Sequence, residues 1–105
     1  MEIIWSDFAI QNLKEIFDYY KSKASNRVAN KIRKQILQSS KQLINNPELG
    51  PIEFNLENLK LDHRFLLSGN YKIIYRIEKD RIFINDIFDV RQNPDKMIHE
   101  KKDRG

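Results

Sequence analysis

The sequence has no cysteine, and only three glycines and two histidines among its 105 residues. Without cysteine the chain can form neither a disulfide framework nor a thiolate metal site, and two histidines far apart offer no zinc-ligand spacing. So few glycines leave no glycine-rich loop to cradle a phosphate. We therefore expect neither a bound metal nor a cofactor.

Long apolar runs are also missing. No stretch has the length of a membrane span, and residues 1–5 (MEIIW) do not have the character of a signal peptide. We therefore expect a cytoplasmic protein without membrane contacts.

Acidic residues are missing from one long segment of the chain. Overall, 19 basic and 15 acidic residues give a net charge of +4. No acidic residue lies between Asp18 and Glu48, where the basic residues are Lys21, Lys23, Arg27, Lys31, Arg33, Lys34 and Lys41. The net charge favours a nucleic acid, ribosomal RNA or an acidic protein as partner, but it also fits a charged and soluble surface. The basic edge of the second helix equally fits an ordinary solvated helix face.

Two consecutive strands form the clearest pattern in the sequence. Residues 70–78 and 81–89 alternate in hydrophobicity, and a charged turn separates them. Further strands are expected at roughly 63–67 and at 2–5. Because Lys72 and Arg76 interrupt a strand that apolar residues could have filled, we expect one sheet face to be open to an anionic partner.

Two amphipathic helices are expected between the first strand and the other three. Ser6 and Ser25 stand at N-cap positions, and the first helix should end near Lys23. Apolar stripes at helical spacing comprise Ala9, Leu13, Ile16, Phe17 and Tyr20 in the first helix, and Ala29, Ile32, Ile36 and Leu43 in the second. Residues 52–62 show no strong period and are expected to form a loop.

These elements predict an α+β fold with an N-terminal strand, a helical hairpin and then a three-stranded antiparallel meander packed on the helices. At this length we expect one domain over residues 1–105, in which about 93–105 form a C-terminal extension. The pattern GNYKIIYR at 69–76, followed by IFDVR at 87–91, resembles the RelE/ParE family of toxins from bacterial type II toxin–antitoxin modules. The resemblance covers nearly the whole chain in length and element order. It implies a growth inhibitor that a cognate antitoxin neutralises.

The family resemblance implies two different targets. RelE-like members are ribosome-dependent endonucleases that cut messenger RNA, whereas ParE-like members poison DNA gyrase. When this sequence is aligned with the nucleases at Tyr71, their phosphate-contacting positive charges are kept by Lys72 and Arg91. The two nuclease lysines of the preceding strand fall on His63 and Phe65.

The proton-transfer groups of the nucleases are incomplete in this sequence. The C-terminal tyrosine of the family falls near Met97, which has no proton to give. RNA cleavage by 2′-OH attack needs a base, cationic stabilisation of the phosphorane and an acid. For a nuclease the catalytic candidates are His63, Lys72 and Arg91, and no acid is evident unless Tyr71, Tyr75 or His99 serves. The incomplete set favours a ParE-like toxin that is not an enzyme.

The favoured interpretation is thus a toxin that acts on DNA gyrase, with Lys72, Arg76 and Arg91 as target-binding residues. The alternatives are a RelE-like nuclease acting on the ribosome and its mRNA, and an inactive homologue that only binds antitoxin. The expected antitoxin is acidic and partly disordered, and it would fold across part of the helical hairpin and the sheet, including the cationic edge of the second helix. The antitoxin-binding candidates are Arg27, Lys31, Lys34 and Lys41.

Plainer roles are open for several of these side chains. Lys72 and Arg76 fit solvated positions on a half-exposed sheet, and Arg91 fits a local pair with Asp89 or Asp86. A histidine at a strand start, such as His63, is more often a surface residue than a base. Tyr71 and Tyr75 fit core or cross-strand aromatics. In the last strand Asp86 lies on the same alternating side as the apolar residues, so it fits a buried carboxylate, which would need a hydrogen-bonding partner.

Overall fold

The computed structural model describes residues 1–59, 61–93, 95 and 97, so His99 and the rest of the tail lie outside the described residues. The main elements in chain order are β1 (Glu2–Trp5), α1 (Asp7–Lys23), α2 (Asn26–Lys41), β2 (Arg64–Ser68), β3 (Tyr71–Glu78) and β4 (Arg81–Asp89). Two short 3-10 helices lie between α2 and β2, at Gln42–Ile44 and Phe54–Leu59. This order is the predicted α+β fold.

The two helices begin where their capping residues predict. The Ser6 hydroxyl accepts a hydrogen bond from the Ala9 N–H at 3.0 Å, and the Ser25 hydroxyl accepts one from the Val28 N–H at 3.1 Å. Each bond satisfies a backbone donor that the first helical turn leaves free. Both predicted caps are therefore confirmed.

The four strands form one sheet in the order β1-β4-β3-β2. Strands β2, β3 and β4 form the predicted antiparallel meander. β1 pairs in parallel with the first half of β4, with Ile3 opposite Ile82. A parallel neighbour requires a long crossover, which the helical hairpin and the meander together supply.

The main core lies between the sheet and the helices. Alternate residues of β3 face the helices, beginning with Tyr71 and including Ile73 and Tyr75. The helices contribute Ala9 and Ile36 to the same cluster. The predicted apolar stripes of both helices are the surfaces that cover the sheet.

The opposite face of the sheet, here called the outer sheet face, is partly covered by residues 50–56, here called the strap. Leu56 of the strap packs with Ile74, Phe88 and Met97 in a second buried cluster. The expectation of a plain loop is wrong here, because residues 54–59 form a 3-10 helix. Its i to i+3 hydrogen bonds do not require an apolar stripe with helical period, so the sequence pattern gives no sign of it.

A β-bulge interrupts the pairing of β3 with β4. Ile74 lies opposite Asp86 while Tyr75 lies opposite Ile84, so Asn85 is the extra residue. A bulge of this kind changes which side chains face each side of the strand. Beyond it, β1 has ended, and α1 rather than another strand lies beside the second half of β4.

Candidate functional site

The ammonium group of Lys72 is bound by a carboxylate from the strap. Its Nζ atom lies 2.5 Å from Oε1 of Glu53, whose side chain is only 2% exposed. The other oxygen of Glu53 accepts hydrogen bonds from the backbone N–H of Asn55 at 3.1 Å and from its side-chain amide at 3.0 Å. The ammonium group also lies 4.3 Å from the ring centroid of Phe65. Glu53 thus occupies the position that an anionic ligand of Lys72 would need.

Arg76, the second predicted target-binding residue, also has an internal partner. Its guanidinium forms an ion pair with Glu78, and it lies 4.8 Å from the ring centroid of Phe83. The hydrogen bond from Arg76 lowers the pKa of the Glu78 carboxyl below its usual value. The outer sheet face around Lys72 and Arg76 is therefore covered in part and locally neutralised, rather than open as expected.

Arg91, the third predicted target-binding residue, pairs with Asp89 immediately after β4. Its NH2 group donates to Oδ2 of Asp89 at 2.6 Å, and its Nε donates to Oδ1 at 2.9 Å. These bonds hold the pKa of the Asp89 carboxyl below its usual value. Asp89, and then Tyr20 of α1, raise the pKa of Arg91. The local pair with Asp89, one of the plainer roles considered for Arg91, is confirmed.

The structure does not bring Lys72 and Arg91 together. Arg91 lies beside Tyr20, and Tyr71 reaches the same tyrosine from β3 with its hydroxyl 3.4 Å away. Lys72 is the next residue after Tyr71, so its side chain leaves the strand on the opposite face. Their proposed roles as target-binding residues remain predictions, and a single site containing both would need a substrate that reaches both faces of the sheet.

His63 is buried with a relative exposure of 1%, so the expectation of a surface histidine is wrong. The reason is the strap, because the Glu53 N–H donates to the His63 carbonyl at 2.7 Å and holds the segment against the start of β2. The His63 ring has its Nδ1 atom 3.1 Å from the carbonyl oxygen of Leu61. A base in this position is not accessible to a polymer substrate.

The two tyrosines considered as acids are core residues, as their pattern indicates. Tyr75 is fully buried, its hydroxyl donates to the Pro47 carbonyl at 2.8 Å, and it accepts from the Gly50 N–H at 2.9 Å. Burial raises the pKa of the Tyr71 and Tyr75 hydroxyls. A buried phenol that binds its proton more tightly than usual is poorly suited to protonate a leaving oxygen.

The basic residues of α2 are arranged differently from those of the sheet. Arg27, Lys31, Lys34 and Lys41, here called the basic strip, are all exposed. Among the described residues none of the four forms an ion pair. Ala29 and Ile36 lie on the other side of α2, buried against the sheet, so the strip faces away from the core.

A groove of about 700 Å³ lies between α1 and the second half of β4. Its walls include Phe8, Asn12 and Tyr19 from the helix, and Asp86 and Arg91 from β4 and the residues that follow. Asp86 is 1% exposed, and the Asn12 amide donates to its Oδ1 at 2.7 Å. The predicted buried carboxylate with a hydrogen-bonding partner is confirmed. The groove itself was not predicted, because its walls come from α1 and from β4, which are far apart in the sequence.

Across the part of the chain that the structure describes, no cluster of three potential metal ligands is found. None of its helices combines the length and the apolar character that crossing a membrane requires.

Comparison with known proteins identifies the class of fold and then the family. A chain from the chromosomal ParDE toxin–antitoxin system of P. aeruginosa superposes with a TM-score of 0.73 at 22% identity, covering 86% of this chain and 96% of that one. The family model of the ParE toxin of the type II toxin–antitoxin system parDE matches residues 3–94. The chain therefore belongs to the ParE toxin family and is a type II toxin. A search of curated proteins finds no match.

Proposed function

We propose that this toxin arrests growth by acting on DNA gyrase and that it does not cut RNA. The observation that carries the proposal is the dispersal of the predicted nuclease groups. His63 is buried, Lys72 is bound by Glu53, and Arg91 lies on the other side of the sheet. Membership of the ParE family supports gyrase over the ribosome as the target. Gyrase works in the cytoplasm, so the proposal places the toxin there as well.

We further propose that the antitoxin is an acidic segment, partly disordered by itself, which folds across the helical hairpin. The basic strip supports this proposal because its four cations are exposed and none has an ion-pair partner in the described structure. An acidic segment that gains order on binding can cover a large surface and be released when it is degraded or displaced. Neutralisation would then occur by covering the toxin.

The test of the target is a supercoiling assay with purified gyrase, together with separate measurements of DNA, RNA and protein synthesis after induction. We expect excess toxin to inhibit supercoiling and DNA synthesis to stop first. The preformed toxin–antitoxin complex is the control and should leave gyrase active. Unaffected supercoiling, together with codon-positioned cuts that disappear in Lys72→Ala, would instead establish the RelE-like nuclease. Normal growth on induction of the chain alone would establish an inactive homologue.

A further inference from the structure

The positive charge of this protein is concentrated in one segment of the chain, from the end of α1 through α2. Residues 19–47 hold seven basic residues and no acidic one, which leaves 12 basic and 15 acidic residues in the remainder, a net charge of −3 there. The net charge of +4 therefore comes entirely from the end of α1, α2 and the turn after it. This segment is therefore where a polyanion approaching the protein would meet an excess of positive charge.

The three predicted target-binding cations compete less well than α2 for such a ligand. Lys72, Arg76 and Arg91 each have an acidic side chain of the same molecule as partner. Displacing these carboxylates would cost an incoming phosphate part of the energy it gains. The basic strip has no such internal competitor among the described residues.

The geometry of the basic strip suits a linear polyanion. At 100° per residue its four side chains lie within an arc of about 80° on the helix surface, and from first to last they span about 21 Å along the axis. That length matches about six base pairs of a duplex, whose phosphates repeat every 3.4 Å or so along each strand. Ala29 and Ile36 anchor the opposite side of α2 in the core, so the row is held on a rigid element.

We propose that the basic strip (Arg27, Lys31, Lys34 and Lys41) binds the phosphate backbone of duplex DNA, without base specificity. The inference rests on the proposed function, because the proposed target, gyrase, holds the DNA on which it acts. The strip attaches the toxin to that DNA, and an acidic antitoxin segment that covers the strip excludes the duplex. Neutralisation is then a competition between two anions for one row of cations.

The experiment measures binding of the purified full-length toxin to a short mixed-sequence DNA duplex in the absence of gyrase, as a function of salt. Four phosphate contacts predict a slope of log K against log salt of about −3.6, or a roughly 100-fold loss of affinity between about 50 and about 200 mM salt. In Lys31→Gln with Lys34→Gln the slope should become shallower by about two. Circular dichroism of each variant verifies that it is folded.

The matched control removes the same charge at another place. Lys79→Gln with Arg81→Gln takes one exposed cation from the β3–β4 turn and one from the first position of β4, and it should leave the slope unchanged. Absence of duplex binding at low salt would overturn the proposal. An equal loss of DNA affinity in both double variants would overturn it too, because binding would then depend on the net charge of the protein and not on the strip. If the Lys31→Gln and Lys34→Gln double variant loses antitoxin binding but binds DNA as before, the strip binds only the antitoxin, and the proposal is overturned as well.

The same proteins separate this inference from the proposed function. Strip-dependent DNA binding without any inhibition of gyrase would refute gyrase as the target while the DNA contact stands. The opposite result is a Lys31→Gln and Lys34→Gln double variant that inhibits gyrase in full without binding DNA. That result would leave the proposed function intact and refute the role of the strip in attaching the toxin to DNA.

Discussion

Glu53 and Lys72 form an ion pair of 2.5 Å on the side of the sheet that faces away from the helices. Glu53 is almost completely buried, and Asn55 satisfies its second oxygen. The pair joins the strap to β3. It therefore contributes to the position of the strap as well as to the charge of the outer sheet face.

Glu53→Gln should destabilise the fold, because it leaves the ammonium group of Lys72 without its anion at a site that is mostly shielded from water. We expect a loss of about 1–3 kcal/mol in the free energy of unfolding, measured by urea titration. The matched control is Glu78→Gln, because the Glu78 side chain is 53% exposed and its ion pair with Arg76 adds little. Equal stability of Glu53→Gln and the wild type would show that the pair does not hold the strap.

Tyr75→Phe tests the attachment of the turn before the strap. The Tyr75 hydroxyl bridges the Pro47 carbonyl and the Gly50 N–H, and its removal leaves both backbone groups without this partner in the interior. We expect a cost of about 1–3 kcal/mol in thermal or chemical unfolding. Tyr71→Phe is the control, since the hydrogen bond from the Tyr71 hydroxyl to Tyr20 is long, at 3.4 Å, and its loss should cost distinctly less.

Gly50→Ala should be more damaging than Gly69→Ala, for a different physical reason in each case. A Cβ at Gly50 would lie 2.2 Å from the backbone oxygen of Phe65, so β2 or the strap must move. At Gly69 there is open space, but φ is +59°, where alanine costs about 1–2 kcal/mol. Melting temperatures of the two variants provide the comparison, and the reverse order would contradict the close approach of the strap to β2.

The Asp89–Arg91 pair predicts a loss of stability in acid. Because the pair lowers the pKa of Asp89 in the folded state, its contribution is present above the unfolded pKa of about 4 and disappears as the pH falls through the folded pKa. Urea unfolding of the wild type should therefore show falling stability below about pH 4. Asp89→Asn should show a weaker dependence on pH in that range, and an identical pH profile would argue against the linkage.

Charge reversal on α2 tests the proposed antitoxin contact. Lys31→Glu with Lys34→Glu should weaken the toxin–antitoxin complex and flatten the dependence of its affinity on salt, because an acidic segment would meet like charges. Calorimetry or surface binding at two salt concentrations provides the measurement. Lys79→Glu with Arg81→Glu makes the same change in net charge at the β3–β4 turn and the first position of β4, and it should preserve the complex. Unchanged affinity in the α2 variant would remove the electrostatic part of the proposal.

Much of the fold was predicted because its signals are local. The capping serines act within three residues of the backbone groups they bind, and the apolar stripes follow directly from helical periodicity. The pair of Asp89 with Arg91 was among the interpretations for the same reason, since its members are only two positions apart in the sequence. The family resemblance has the same origin in the alternating pattern of the last two strands.

The candidate site was less predictable because its decisive contacts join distant parts of the chain. Glu53 and Lys72 are 19 residues apart, and the strap that carries Glu53 has no periodic sequence pattern from which its position could be predicted. The burial of His63 follows from the same strap. The parallel pairing of β1 with β4 was also not predicted, because it depends on how the helical hairpin folds back over the sheet.

By itself, the sequence determined the order of the elements, the faces of the helices that are buried and the concentration of positive charge between Asp18 and Glu48. These properties depend on the spacing of residues along the chain. Only the tertiary structure decided which cations remain available to a partner. It paired Lys72, Arg76 and Arg91 with carboxylates and left the basic strip of α2 exposed, because an ion pair depends on which side chains meet in space.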